Sequence, residues 1–170
     1  MLKLVPPAEE YRSQICEMMD EWTAAGEKIV PFSICKLDYR QFTEYLNGFS
    51  EEKKGSPSFV PASTFFCLDT ERNIFVGAVN IRHELNERLL LNGGHIGDGV
   101  RPSERKKGYA TQMIALALEE CRALGIAQVL MVCNQNNIAS AKSIEKNGGV
   151  LENVLEVDGE FEKRYWIDVL

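Results

Sequence analysis

Arg105, Lys106 and Lys107 place three cations directly before Gly108-Tyr109-Ala110-Thr111, where a long helical pattern begins. The first backbone N–H groups of a helix have no partners inside it, and the helix dipole favours an anion in front of them. Positive side chains at that end oppose the dipole. Three together make sense when an anion of two or more charges sits among them. Gly108 and Ala110 keep the first turn free of bulk. By spacing alone, the stretch reads equally as a solvated basic turn before an ordinary helix. It is neither the Gly-x-x-x-x-Gly-Lys-Ser/Thr loop of nucleotide hydrolases nor a dinucleotide fingerprint.

The elements around this turn must position it. The helix from Lys106 to Leu124 carries Ala110, Met113, Ile114, Ala117, Cys121 and Leu124 on one stripe, and Gly125 stops it. Before it, His95 to Val100 reads as a strand broken by Gly97 and Gly99, which suggests a bulge or the close approach of a backbone or ligand. After it, Ala127 to Cys133 is a continuous apolar run, as in a strand covered on both faces. Ile138 to Asn147 is a short helix ended by Gly148-Gly149. Thr64–Leu68 and Ile74–Ile81 form a hairpin, and Val150–Val157 with Phe161–Val169 form another around Asp158-Gly159. Leu2–Val5 is a short strand. Ala8–Trp22 and Leu37–Phe49, the latter capped by Asp38, are helices, and Ser50–Ser58 reads as a mobile loop. The helix from Lys106 joins two strands as a βαβ crossover while the hairpins are antiparallel. The fold expected is therefore a mixed α/β (α+β) domain over residues 1–170, with a mostly antiparallel sheet of about seven strands and helices on both faces.

Arg105-Lys106-Lys107-Gly108-Tyr109-Ala110 resembles the Arg/Gln-x-x-Gly-x-Gly/Ala motif of the GNAT acyltransferase superfamily, with Val100-Arg101-Pro102 as the strand end before it. Asn137-Ile138-Ala139-Ser140-Ala141, followed by Glu145-Lys146-Asn147-Gly148, resembles that family's second signature. The likeness covers about Thr64 to Val169. It implies that the strands His95–Val100 and Ala127–Cys133 splay apart and that acetyl-CoA enters between them. The pantetheine arm would pair with the backbone near Asp98, Gly99 and Val100, with Gly97 and Gly99 giving it room. The pyrophosphate would lie on the amides of Arg105, Lys106, Lys107, Gly108, Tyr109, Ala110 and, at the helix start, Thr111. Asn137 and Ser140 would bond the pantetheine or phosphate region; Asn137 also suits a helix N-cap.

The activity implied is N-acetylation of a primary amine, of a small molecule or a protein, by direct transfer. The family's usual proton donor is a tyrosine before Glu-Lys-x-Gly; here that position is Ile144. Asp98, His95 and Glu84 are the candidate bases, with His83 and Asn86 beside Glu84 at the acceptor pocket. Each also fits a plain structural place: Asp98 in solvent or on a backbone amide, His95 at a strand entry, Glu84 as a loop charge. Asp20, Glu21, Asp38 and Glu44 lean the acceptor towards a cationic amine. Ile144 leaves room for another reading, an acyl-CoA-binding sensor or scaffold without transfer.

Composition narrows the partners. The net charge of -6 disfavours nucleic acid. Five cysteines, with no Cys-x-x-Cys pair, argue against disulfides and thiolate zinc, and two histidines argue against a histidine metal site, so no metal is expected. Cys67, Cys121 and Cys133 read as small core residues. The N-terminus does not read as a signal peptide and no window approaches the ~20 apolar residues of a membrane span, so a cytoplasmic protein is expected. A homodimer through the C-terminal strands would suit the family.

Overall fold

The computed structural model describes residues 1–170. Seven strands and five α-helices form two sheets with helices packed on both faces. Strand β1 (Leu2–Val5) leads through a short 3-10 turn into α1 (Arg12–Ala24), and α2 (Phe42–Lys54) follows. The hairpin β2 (Ala62–Asp69) and β3 (Ile74–Arg82), a short α3 (Glu87–Leu91), β4 (Ile96–Val100), α4 (Tyr109–Ala123), β5 (Gln128–Asn134), α5 (Ile138–Lys146), β6 (Val150–Val157) and β7 (Glu160–Asp168) complete the chain. The first sheet has the order β1-β2-β3-β4 and the second β5-β7-β6, with every pairing antiparallel.

The first sheet separates two cores. On one face Ile15, Met18, Met19 and Trp22 of α1, with Phe42, Tyr45 and Phe49 of α2, pack on Phe66, Leu68, Phe75 and Ala78. On the other face Met113, Ile114, Ala117 and Cys121 of α4 pack on Cys67, Val76, Val79 and Ile81, and the same cluster runs on into β5, α5 and β7. Strand alternation sorts the two sets. A register shift at Cys67/Leu68 lets Phe75 and Ala78 face the same side. Cys67, Cys121 and Cys133 are buried and unpaired, as their apolar surroundings predict.

Among the boundaries that differ from those read in the sequence, three bear on the site. Asp38 does not cap α2; its carboxylate accepts from the Arg40 N–H at 3.0 Å, and the helix begins at Phe42. Its last turns run through Glu51-Glu52-Lys53-Lys54, so half of the expected loop is helix. α4 begins at Tyr109, three residues later than its pattern, because Lys106 and Gly108 both hold positive φ, 61° and 80°.

Candidate active site

Strands β4 and β5 touch at one end only. The His95 N–H donates to the Leu130 carbonyl at 2.7 Å, and the Leu130 N–H donates back to Nδ1 of the His95 ring at 2.9 Å. Gly94 bridges Met131 at the same place. Beyond it β4 pairs only with β3 and β5 only with β7, so the two strands part and leave a cleft. Arg82 N–H bonds the His95 carbonyl and Arg101 N–H bonds the Val76 carbonyl. The antiparallel alternation set by these bonds sends the N–H and C=O of Ile96, Asp98 and Val100 to the other side, into the cleft. An extended ligand chain could add there as a strand would.

The far end of the cleft opens on the turn before α4. The backbone N–H groups of Arg105, Lys106, Lys107, Gly108, Tyr109, Ala110 and Thr111 donate to no other group of the chain. Lys106 and Gly108, both at positive φ, alternate with neighbours of negative φ. Such alternation curls successive amides into a concave anion-binding nest at a helix N-terminus. A Cβ on Gly108 would meet nothing within 4 Å, so glycine is needed there for its φ and not to make space.

The matching family model is the acetyltransferase (GNAT) domain, over residues 2–150. The chain belongs to the GNAT acetyltransferase family. No curated protein matches the sequence. Among solved structures, a GnaT-family protein from Bordetella pertussis superposes with TM-score 0.65 at 18% identity, covering 98% of this chain and 95% of that one. The Microcin C7 self-immunity acetyltransferase MccE, solved with acetyl-CoA and AMP, gives TM-score 0.67 at 17% identity over 98% and 92%. The spermidine/spermine N-acetyltransferase SpeG from Vibrio cholerae gives 0.65 at 16% over 99% and 95%. At these identities the likeness is one of fold.

The anion loop of this GNAT acetyltransferase is braced from three sides. Buried Glu104 accepts two bonds from Arg72, at 3.0 and 2.8 Å, and one from Lys107 at 3.1 Å. These cations hold its carboxyl below the usual range. Arg72 also donates to the Tyr109 hydroxyl at 2.9 Å. Arg101, buried, pairs with Glu21 and Glu17 of α1, and Glu21 accepts from the Ser103 N–H at 2.8 Å. Asn147 donates to the carbonyls of Thr111 and Ser143, at 3.0 and 2.9 Å, tying α5 to the first turn of α4.

The three cations are not equivalent. Arg105 turns back to Glu27, to the Val100 carbonyl at 3.2 Å and over the Trp22 ring, while Lys107 is held by Glu104. Only Lys106 of the three makes no ion pair; its side chain is exposed. The expectation of three free cations therefore shrinks to one, because the nearby acids of α1 and the loop claim the others.

Gly99 and Gly97 face the α1–α2 segment, not the cleft. A Cβ on Gly99 would fall 1.9 Å from the Val30 carbonyl oxygen, whereas one on Gly97 would lie 3.5 Å from Arg82 and Pro31. The reading that both glycines make room for a ligand is thus replaced: Gly99 admits the protein's own backbone.

Asp98, Ser140 and Cys133 come together on the α4–α5 side of the cleft. Burial pushes the Cys133 thiol up, the Asp98 charge adds to that effect, and Ser140 opposes it. Burial raises the Asp98 carboxyl to about 6. Burial lowers the His95 imidazole to about 4, with Arg82 adding to the effect. Its Nδ1 is occupied by Leu130, so the ring is neutral with the proton on Nε2 and clasps the two strands. Asn137 accepts from the Ser140 N–H at 3.1 Å and caps α5. Glu84 stands apart, exposed, on a 430 Å³ cavity with Asn86 and the Lys54–Pro61 loop. His83 sits behind it, 2.8 Å from the Ser63 hydroxyl.

On the opposite face lies a polar group not anticipated from the sequence. Glu52 accepts from Thr64 Oγ1 at 2.8 Å and from Asn80 Nδ2 at 2.9 Å, and Thr64 Oγ1 lies 3.0 Å from Ser33 Oγ. Burial raises the Glu52 carboxyl despite those bonds. Asn80 is the register partner of Gly97, so this network adjoins β4 from the side opposite α4. The signal was present: Glu52 continues the stripe Phe42, Tyr45, Phe49, and a carboxylate at a core position of a helix asks for a reason.

Ile144, in the family's tyrosine position, is fully buried in the core. The Tyr165 hydroxyl, on β7, donates to Glu145 beside it at 2.9 Å, and burial pushes it up to about 12. No group of three or more His, Cys, Asp or Glu side chains could hold a metal ion, and no helix is long and apolar enough to cross a membrane.

Proposed function

We propose that the protein is an acetyl-CoA-dependent N-acetyltransferase that moves the acetyl group directly to a primary amine. The observation that carries this reading is the run of seven unpartnered amides, Arg105 to Thr111, at the mouth of a cleft whose wall offers a strand edge at Asp98 and the N–H of Val100, the Val100 carbonyl being taken by Arg105. A diphosphate suits the nest and an amide-bearing pantetheine suits the edge. The neighbour solved with acetyl-CoA and the neighbour named for spermidine acetylation support the same assignment through their shared fold.

When bound, acetyl-CoA would supply a thioester carbonyl carbon open to attack. Asp98 is the group we assign as base, since a carboxyl near 6 can hold the proton that the ammonium must lose. The amine lone pair would form the C–N bond, the C–S bond would break with its electron pair on sulfur, and the second amine proton would pass through solvent to the departing thiolate as the amide forms. A thiol of the cysteine type ionises near ~8.5, so the departing thiolate needs no dedicated acid. His95 we assign to holding the apex of the cleft, and Glu84 to the rim through which the acceptor enters.

Ile144 favours a second reading, a non-catalytic acyl-CoA sensor or scaffold. Free, unpaired cysteines and the acidic charge fit a cytoplasmic location, and exposed Val150, Leu151 and Val154 on edge strand β6 fit a homodimer through the C-terminal strands.

Calorimetric titration with acetyl-CoA, and with coenzyme A, NAD and ATP beside it, tests the site. Micromolar binding of acetyl-CoA, weakened by Gly108→Glu, is the expected result; no binding by folded protein overturns it. Turnover with any amine separates enzyme from sensor.

A further inference from the structure

Arg82 is the one partly buried cation of the site with no carboxylate within 4 Å. It ends β3, on the face of the sheet opposite α4, where its guanidinium lies beside Gly97. Nη1 donates to the Gly93 and Gly94 carbonyls at 3.0 and 3.2 Å. Nε and Nη2 donate to nothing in the chain, and both keep contact with solvent. A partly desolvated guanidinium with half of its planar fork unused is suited to a bidentate carboxylate.

The position decides whose anion this could be. Arg82 stands at the closed end of the cleft, beside the residues that start β4. The amide nest stands past Val100 at the other end. Four residues of strand, about 13 Å, separate Gly97 from Arg101. The charged groups of the cofactor belong at the nest, so Arg82 does not face them. The charges around it also count against a polycationic acceptor. Glu52 is the only carboxylate acting on Arg82, while Lys36, stacked 4.2 Å over the Phe59 ring, acts on Glu52 as a second cation. His83, its basicity lowered by burial and by Lys53 against an opposing pull from Glu84, adds no negative charge, and Glu84 itself is an exposed carboxylate out at the rim.

We infer that the acceptor is an amine bearing a carboxylate, of the amino acid type, whose carboxylate is received by Nε and Nη2 of Arg82 while Glu52, Asn80 and Thr64 line the approach of its amine to β4. This rests on the acetyltransferase reading and names its substrate class. It replaces the lean towards a simple cationic amine drawn from Asp20, Glu21, Asp38 and Glu44. In the structure, Glu21 is engaged with Arg101, Asp20 with Tyr39, and Asp38 with Arg40, none of them at the cleft.

The test measures release of free coenzyme A thiol with acetyl-CoA and two matched sets of acceptors: the standard amino acids, and the amines left when their carboxyl groups are removed. A diamine serves as a third arm. The wild-type protein should favour the best amino acid over its decarboxylated partner by about a hundredfold in kcat/KM, the size of a lost buried charge pair. Arg82→Met should collapse that ratio to within a fewfold. Arg82→Lys, which keeps the charge but not the fork, should restore part of it. Because Arg82 also supports Gly93 and Gly94, the ratio between acceptors, not the absolute rate, is the deciding quantity, with acetyl-CoA affinity and thermal stability measured on each variant. Amines or the diamine used as well as amino acids, an unchanged ratio in Arg82→Met, or acetyl-CoA binding without turnover of any amino acid overturns the assignment. Absence of acetyl-CoA binding instead overturns the functional reading beneath it.

Discussion

The Nδ1 atom of His95 accepts a 2.9 Å hydrogen bond from the backbone N–H of Leu130. A side chain thus makes a bond that a sheet ladder would ordinarily make, and it does so where β4 and β5 last touch. The ring acts as a clasp: the strands are held together at that point and are free to diverge beyond it.

The clasp has a pH dependence. The His95 imidazole drops from its ordinary 6.5 to about 4 in the fold, so the unfolded chain binds the extra proton first. Stability is full above about 6.5, falls as pH drops, and the loss is complete near 4. Two and a half pH units correspond to about 3 kcal/mol at most. Denaturant unfolding followed from pH 7 to pH 4 should show this slope, and His95→Asn, which can still accept from Leu130, should flatten it.

Asp98 has the opposite sign. Its carboxyl rises from 3.8 to about 6, so its ionised form strains the fold at neutral pH. Asp98→Asn should raise stability at pH 7 by about 1–2 kcal/mol, less than the full shift because the side chain is only partly shielded, and the gain should vanish by about pH 4. Turnover should fall by at least about a hundredfold while acetyl-CoA affinity stays within a fewfold. Thermal melts and steady-state kinetics on one preparation check both halves.

Gly99 and Gly97 should part company. A Cβ at Gly99 meets the Val30 carbonyl carbon and oxygen at 2.7 and 1.9 Å, so Gly99→Ala must displace the α1–α2 segment and should cost about 2 kcal/mol or more. Gly97→Ala meets ordinary contacts at 3.5 Å and should change stability by under about 1 kcal/mol. Urea denaturation distinguishes them.

Lys106 and Lys107 should differ as cofactor ligands. Lys106 has no acid beside it, and Lys106→Ala should weaken acetyl-CoA about three- to tenfold, less so at high salt. Lys107 is already held by Glu104 at 3.1 Å, so Lys107→Ala should change affinity by less than about threefold. Titrations at two ionic strengths measure both.

Much of this molecule is written locally in its sequence. The 3.6-residue stripe of α4, the aromatic and β-branched content of β2 and β3, the Asp158-Gly159 turn and the Arg105–Ala110 motif all depend on neighbours a few positions away, and short-range sterics and hydrogen bonding settle them. Even Glu52 left its mark, as a carboxylate three residues after Phe49 on a buried stripe; its run of charged neighbours disguised it as a loop.

Tertiary structure decided the rest, because it depends on charges and backbones brought together from distant segments. Glu27 lies 78 positions from Arg105 in the chain and removes that cation from the loop. Val30 reaches Gly99 across 69 residues, turning an apparent gap for a ligand into a packing contact. Asn80, Thr64, Ser33 and Glu52 become one network only when β2, β3 and α2 assemble, and Arg82 is left without an ion pair because Glu52, the acid that acts on it, bonds Thr64 and Asn80 instead. Sequence fixes which groups can donate, accept or ionise; the packed fold alone determines which of them remain unpaired, and those are the groups available to a ligand.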